Sequence, residues 1–562
     1  MRKNKLWMMV AILICGTTTI LTFCAETDDN PAPVDPVEKE KERIRSQYGE
    51  NKKITDGNYD KSLAVKCING TFVGKKTDDV IAYKGIPFVG EQPVGKNRWK
   101  APVAYVPDNG VYEAYYNGKS PIQSETITEG GSLYVQGEDC LYLNIWRTDE
   151  ATTDKKPVMV WIHGGAYEMG GTVDPLYECH NLVKENPDII TVSIEYRVGV
   201  FGFLHLSHLP DGKDYPDAQN LGLMDQMMAL KWVHENIASF GGDPDNVTIF
   251  GESAGAGSVT LLPLIEGSHQ YFKRVIAQSG SSSMSRTTEA AKACTDELMK
   301  ALGCKTVADL QNVEIEKFLT IGGPLLTLRI TPERDGKYLP LDTWEAYANG
   351  AAKDIVILQG CNKDEMHYFV VGFGPENYTK WANQRKEEKL AQLTDEEKAM
   401  VESFCNDIKA EEDYEPVCRL LDQVWFNAQL IRTAEEQTKA GGKTYVYYFT
   451  PESSIPLMKC GHAVELSTVF NHPEETVFTG RAFDETFSKT MRKMWVQFAK
   501  TGNPSLSTEI SPDGNAKEWP LYDLGEKKVM VLDEKDIHPA KESEVKIVDW
   551  KRTYFLTNYY IL

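Results

Sequence analysis

Apolar residues along the chain gather in short runs, separated by stretches with helical spacing. Six runs read as buried strands: 157–165 (PVMVWIHGG), 188–198 (DIITVSIEYRV), 247–250 (VTIF), 274–280 (RVIAQSG), 354–360 (DIVILQG) and 444–449 (TYVYYF). They are short and rich in Val, Ile, Tyr and Phe. Residues 224–241 (MDQMMALKWVHENIASFG) read as a helix, with Met227, Leu230 and Val233 or His234 on recurring faces. Strands alternating with helices predict an α/β fold with a central, mostly parallel sheet flanked by helices. Ligands of such sheets bind beyond the carboxyl ends of the strands.

Outside this pattern the N-terminus stands apart. Arg2, Lys3 and Lys5 precede a mostly apolar stretch, 6–23. Residues 1–24 therefore read as a signal peptide. Leu21-Thr22-Phe23-Cys24 resembles a bacterial lipoprotein cleavage box, although Phe23 stands where a small residue is usual. Cys24 is the expected lipid anchor of an exported protein; a plain periplasmic or secreted form and an uncleaved anchor are the alternatives. Residues 25–60, rich in Pro, Asp, Glu and Lys, read as a flexible tether with one charged helical stretch near 38–48. Residues 61–562 form the globular domain.

The net charge of -21 argues against nucleic acid as a main partner, because phosphate binding needs clustered Lys and Arg. It equally disfavours an anionic membrane surface, so membrane contact is expected only through the anchor. Of 11 cysteines, Cys15 and Cys24 lie in the leader. The rest are scattered, with no C-x-x-C and no zinc-type spacing, so neither a dense disulfide framework nor a metal site is expected.

The run 247–250 leads into Gly251-Glu252-Ser253-Ala254-Gly255, a G-x-S-x-G match. In that motif a strand turns sharply into a helix and lifts the serine oxygen clear of the backbone. A serine hydroxyl is a weak nucleophile and needs a base. Around this motif the chain order is serine, acid, histidine, which favours His367, His462, His472 or His538. His367 follows the best acid candidates too closely. His472 sits in FNHPEE, which reads as a surface loop, and His538 in a polar stretch. His462 lies in KCGHAVEL, soon after the 444–449 run, where the mechanism needs a base. The acid is Asp364 or Glu365, just past the 354–360 run; position does not choose between them. Upstream, WIHGGAY (161–167) can turn backbone N–H groups toward an oxyanion.

These pieces stand among further motifs. EDCLYLNIW (138–146) and GGDPDNVTIFGESAGAGSV (241–259) are accompanied by YKGIPF, RWKAP, EYRVGVFGFL, LGLMDQMMALKWV, NKDE, FAKTGNPS and WPLYD. In combination they resemble the type-B carboxylesterase/lipase family, which includes the cholinesterases, from about Cys67 to Tyr522. The resemblance implies an α/β-hydrolase fold and hydrolysis of small-molecule esters without cofactor or metal. It implies Ser253 as nucleophile, His462 as base and Glu365, of the NKDE segment, as acid. The oxyanion donors fall on the N–H groups of Gly165, Ala166 and Ala254. Glu252 becomes a site-tuning or structural carboxylate. Leu326 and Leu328, ahead of RITPERDG, fall at an aliphatic acyl pocket. Four positions depart from the family pattern: Ser120 replaces a cysteine that would pair with Cys140, Ala166 a frequent glycine, Met366 a common glycine and Glu195 a common asparagine. Choline-binding relatives hold the cation on a tryptophan ahead of the EDCLYLN cysteine. Here no Trp occurs between Trp99 and Trp146, and Tyr134 has a different spacing. The expectation is a serine carboxylesterase for neutral esters. The alternatives are a lipase for longer acyl chains and a non-catalytic binding protein on the same fold.

Overall fold

The computed structural model describes residues 36–123, 133–149, 154–549 and 551–560. Among them an eleven-stranded sheet runs through the molecule. Its strands are β1 (Lys75–Thr77), β2 (Val80–Pro87), β3 (Tyr142–Thr148), β4 (Lys156–Ile162), β5 (Ile190–Ile194), β6 (Gly242–Glu252), β7 (Arg274–Gln278), β8 (Val356–Asn362), β9 (Thr444–Phe449), β10 (Lys528–Leu532) and β11 (Ile537–Lys541). The spatial order is β11-β10-β9-β8-β7-β6-β4-β5-β3-β2-β1. Pairing is parallel from β5 through β10 and antiparallel at both flanks.

The continuous apolar runs follow from burial on both faces. Side chains alternate along a strand. On β4, Val158, Val160 and Ile162 enter one core cluster. Met159 and Trp161 enter the cluster on the other face. Six of the expected strands are present, with shifted ends. The largest shift is β6, which spans eleven residues and changes register between Gly242 and Val247.

The helices that matter for the site are α1 (Pro36–Arg45), α2 (Leu221–Asn236), α3 (Ala254–Leu261), α4 (His367–Phe373), α5 (Glu415–Asp422) and α6 (Glu485–Thr501). The helix expected over 224–241 is α2, continued by a 3₁₀ turn, Ile237–Phe240. It stops at Gly241, whose φ of 88° is left-handed and suits glycine.

The tether expectation is corrected for residues 36–60. The charged stretch forms α1 and docks: Ile44 is buried with Leu133, Tyr134 and Val173. Asn51 donates to the carbonyls of Lys84 and Tyr116 at 2.9 and 2.8 Å. A charge-rich composition concealed one apolar anchor on an otherwise polar helix. Residues 1–35, including Cys24, lie outside the described residues. No helix among the described residues is long and apolar enough to cross a membrane. The nine cysteines from Cys67 to Cys460 are free, Cys140 among them and buried. Ser120 instead bonds the Tyr48 hydroxyl at 2.8 Å, tying the N-terminal segment to the domain.

Candidate active site

The serine turn is set by backbone sterics. Ser253 has φ 56° and ψ -121°, between the end of β6 and the start of α3. Its N–H donates to Gln278 O at 2.8 Å, and its carbonyl accepts from Gly257 N at 2.9 Å. A Cβ on Gly255 would lie 2.1 Å from Ile162 O, and one on Gly251 would lie 2.6 Å from Gly255 C. Only glycine fits either place, which explains why the motif needs both.

The loop after β4 lies against this turn. A Cβ on Gly164 would sit 3.2 Å from the Ser253 Cβ. Gly165, Ala166 and Tyr167 then take φ of 103°, 57° and 61° in succession. The positive φ at two successive non-glycine residues, Ala166 and Tyr167, is the strained step. The bend is held by Glu168 N and Met169 N, which donate to Gly165 O at 2.9 and 3.0 Å. Among the described residues the N–H groups of Gly165 and Ala166 donate to no protein acceptor. Ala254 is the first residue of α3, so its N–H has no acceptor within the helix. Three backbone donors are thus available around Ser253.

The candidate acid and base come from the loops after β8 and β9. His462 Nδ1 lies 2.6 Å from Glu365 Oε2, and His462 N donates to Glu365 O at 3.1 Å. Glu365 Oε1 accepts from Asn362 N at 2.7 Å. The adjacent Asp364 serves a different partner, Arg419, at 2.5 Å. The two carboxylates are both buried and are separated by function. His462 Nε2 faces Glu252 Oε1 at 3.0 Å. Burial disfavours the imidazolium, but Glu252 and Glu365 outweigh it and hold the His462 pKa well above its ordinary value. Burial raises Glu252 as well.

A profile of the carboxylesterase family matches residues 61–548. The chain belongs to this family. It is 34% identical over 495 residues to the para-nitrobenzyl esterase of Bacillus subtilis (strain 168), covering 84% of this chain and 96% of that protein. It is 31% identical over 496 residues to the cholinesterase of Mus musculus, covering 81% and 79%. A crystal structure of a Geobacillus stearothermophilus carboxylesterase superposes with a TM-score of 0.75 at 32% identity, covering 86% of this chain and 99% of that one. The fold is the α/β-hydrolase fold, and the protein is a carboxylic ester hydrolase.

Around the carboxylesterase site stand residues that the sequence reading did not single out. Glu465 is buried and bridges Gln278 Nε2 and Asn362 Nδ2 at 3.0 and 2.7 Å. Burial pushes its carboxyl up to about 7. It lies three residues after His462 in the turn that precedes the helix Leu466–Val469, so that short spacing was the available signal. The rings of Tyr368, Phe369 and Phe426 pack on the His462 imidazole at 5.5, 6.1 and 5.0 Å. Glu168 accepts from Leu328 N at 2.5 Å, joining the loop after β4 to the segment of Leu326 and Leu328. Leu326 is buried in the core, while Leu328 is partly buried with φ 58°. His472 is not in a surface loop: it is buried and contacts Glu178 O at 2.6 Å. Glu195 is also buried, and accepts from Thr172 N and Oγ1 at 2.7 and 2.9 Å.

Proposed function

We propose that this carboxylesterase hydrolyses neutral esters with small or medium acyl groups through a Ser253–His462–Glu365 triad and an acyl-enzyme. The observation that carries the reading is the buried 2.6 Å His462–Glu365 pair beside the serine turn. Ser253 Oγ attacks the ester carbonyl, and its proton passes to His462 Nε2. Glu365 fixes the Nδ1–H tautomer and stabilises the imidazolium. The N–H groups of Gly165, Ala166 and Ala254 receive the oxyanion. The tetrahedral adduct collapses as the C–O bond to the alcohol breaks, and His462 returns the proton to the departing oxygen. Water, deprotonated by His462, then attacks the acyl-serine carbonyl. The acid leaves and Ser253 regains its proton. Glu252 shares the Nε2 side of the ring and raises its affinity for the proton.

Two features favour neutral substrates. Tyr134, the aromatic nearest in sequence to the choline-binding position, is buried against the N-terminal segment, with its hydroxyl 3.1 Å from Asp174 Oδ2. Glu168 is pushed up to about 8 by burial, so at neutral pH its carboxyl is largely uncharged and offers no counter-ion.

A substrate panel with wild type and Ser253→Ala tests the proposal. p-Nitrophenyl butyrate should show a higher kcat/KM than acetylthiocholine or emulsified triglyceride. Ser253→Ala should lose about 10⁴- to 10⁶-fold with the fold retained. An organophosphonate should label Ser253. Normal turnover by the alanine variant would end the triad reading, and a preference for the choline thioester would end the neutral-ester reading.

A further inference from the structure

Behind the acid loop lies a cluster that ester hydrolysis does not use. His367 opens α4, two residues past Glu365. Glu415 and Cys418 lie one turn apart on α5 and so share a face. His367 Nε2 is 3.1 Å from Glu415 Oε2. The ligand atoms of His367, Glu415 and Cys418 all fall within 4.8 Å of one another, and all three residues are buried.

The histidine tautomer decides what the cluster can do. His367 Nδ1 lies 2.6 Å from the Leu457 carbonyl oxygen. A carbonyl only accepts, so Nδ1 carries the proton. In the neutral ring, Nε2 then presents a lone pair to a carboxylate oxygen. Among the described residues the partner facing Nε2 is Glu415 Oε2, and the side chain is 0% exposed. A neutral ring and a carboxylate would face each other there as two acceptors, which repel at 3.1 Å unless a proton or a metal ion lies between them. The nearby cations are committed elsewhere: Lys459 Nζ and Arg419 hold the other oxygen, Glu415 Oε1, at 2.7 and 3.3 Å. Oε2 is left directed at the histidine, with the Cys418 sulfur alongside.

We propose that His367 Nε2, Glu415 Oε2 and Cys418 Sγ bind one zinc ion, with water as the fourth ligand, clamping α5 to the loop that carries Glu365. A nitrogen, a sulfur and a carboxylate oxygen suit zinc. Zinc bonds of about 2.0–2.3 Å place tetrahedral ligands about 3.5 Å apart, so the widest pair closes by at most about 1.3 Å while the His367–Glu415 pair opens by about 0.4 Å. Lys459 and Arg419 orient the ligating carboxylate from outside. On binding, the Cys418 thiol releases its proton to solvent and no redox change occurs. The ion does not touch the substrate; it positions the acid loop. The ligands come from two distant segments, which is why no cysteine–histidine spacing announced them.

The test uses the full chain, stripped with chelator and titrated with Zn²⁺ against a chromophoric indicator. The expected result is one tightly held equivalent and a Tm rise of several degrees. Cobalt(II) in its place should give a thiolate-to-metal charge-transfer band. Cys418→Ser should abolish that band, and Glu415→Gln or His367→Gln should weaken zinc by more than about 100-fold, the upper end for losing an outer partner. Cys304→Ser, at a partly exposed thiol away from the cluster, should change neither. Should His367→Gln fail to fold, the Cys418 and Glu415 variants carry the test. Absence of stoichiometric binding by wild type, or binding unchanged in Cys418→Ser, overturns the proposal. Ring-nitrogen NMR shifts showing a permanent imidazolium at His367 would do the same, leaving a plain ion pair with Glu415.

Discussion

The two halves of the site are built by opposite means. On the serine half, backbone does the positioning: Ser253 at φ 56°, two glycines without room for a Cβ, and a carbonyl of β4 within 2.1 Å of where one would be. On the acid–base half, side chains do it. Glu365, His462 and Glu252 are held by hydrogen bonds and buried charge, and Asp364 is neutralised by Arg419. The first design tolerates almost no change of residue size. The second tolerates little change of charge.

The largest expected effect tests the charge half directly. His462→Ala should lower kcat by about 10⁴-fold or more with far-UV circular dichroism unchanged. Retained turnover would mean that another histidine is the base. Next is the steric half. Gly255→Ala forces a Cβ into the Ile162 carbonyl, and its stability loss in urea should exceed about 4 kcal/mol. A well-folded, active alanine variant would show that the turn is not sterically determined. Arg419→Ala leaves Asp364 and Asp422 buried without their cation, and should cost about 3–5 kcal/mol in the same measurement. A loss under about 1 kcal/mol would mean that the acid loop stands without its counter-ion.

The smallest effect concerns pH. A raised His462 pKa means that the free base, the active form, appears only as pH rises through that raised value. The acid limb of kcat/KM should therefore lie above the ordinary histidine value of about 6.5. Glu252→Gln removes one of the two carboxylates responsible, so the limb should move to lower pH. A pH–rate profile showing no shift, or a shift upward, would exclude Glu252 as the cause.

The same contrast explains what could be read from sequence. The serine turn was legible because its motif residues lie within five consecutive positions, although the Ile162 and Gln278 carbonyls that fix it are distant in sequence. The strands were legible because burial on both faces leaves uninterrupted apolar runs. Glu365 and Asp364 were indistinguishable by position, since what separates them is Arg419, a partner 55 positions along the chain. The resemblance favoured Glu365, and the geometry gives it His462. Glu465, Glu168 and the rings on His462 escaped notice because each acts through a contact with a distant segment. The N-terminal helix was expected, but its docking was missed for a related reason. Its charges are conspicuous in composition, whereas its docking depends on Ile44 meeting Leu133, Tyr134 and Val173.

The pairing of β8 with β9 has a kinetic consequence. These parallel neighbours precede Glu365 and His462, so one ladder delivers acid and base to the same end of the sheet. The two residues are 97 positions apart, and parallel pairing over such a span closes a long loop before any contact compensates for it. Helices and the local serine turn can form well before that closure. During refolding from denaturant, esterase activity should therefore return after the helical signal, in step with this one strand pair. Enzymatic turnover then times the closing of the sheet.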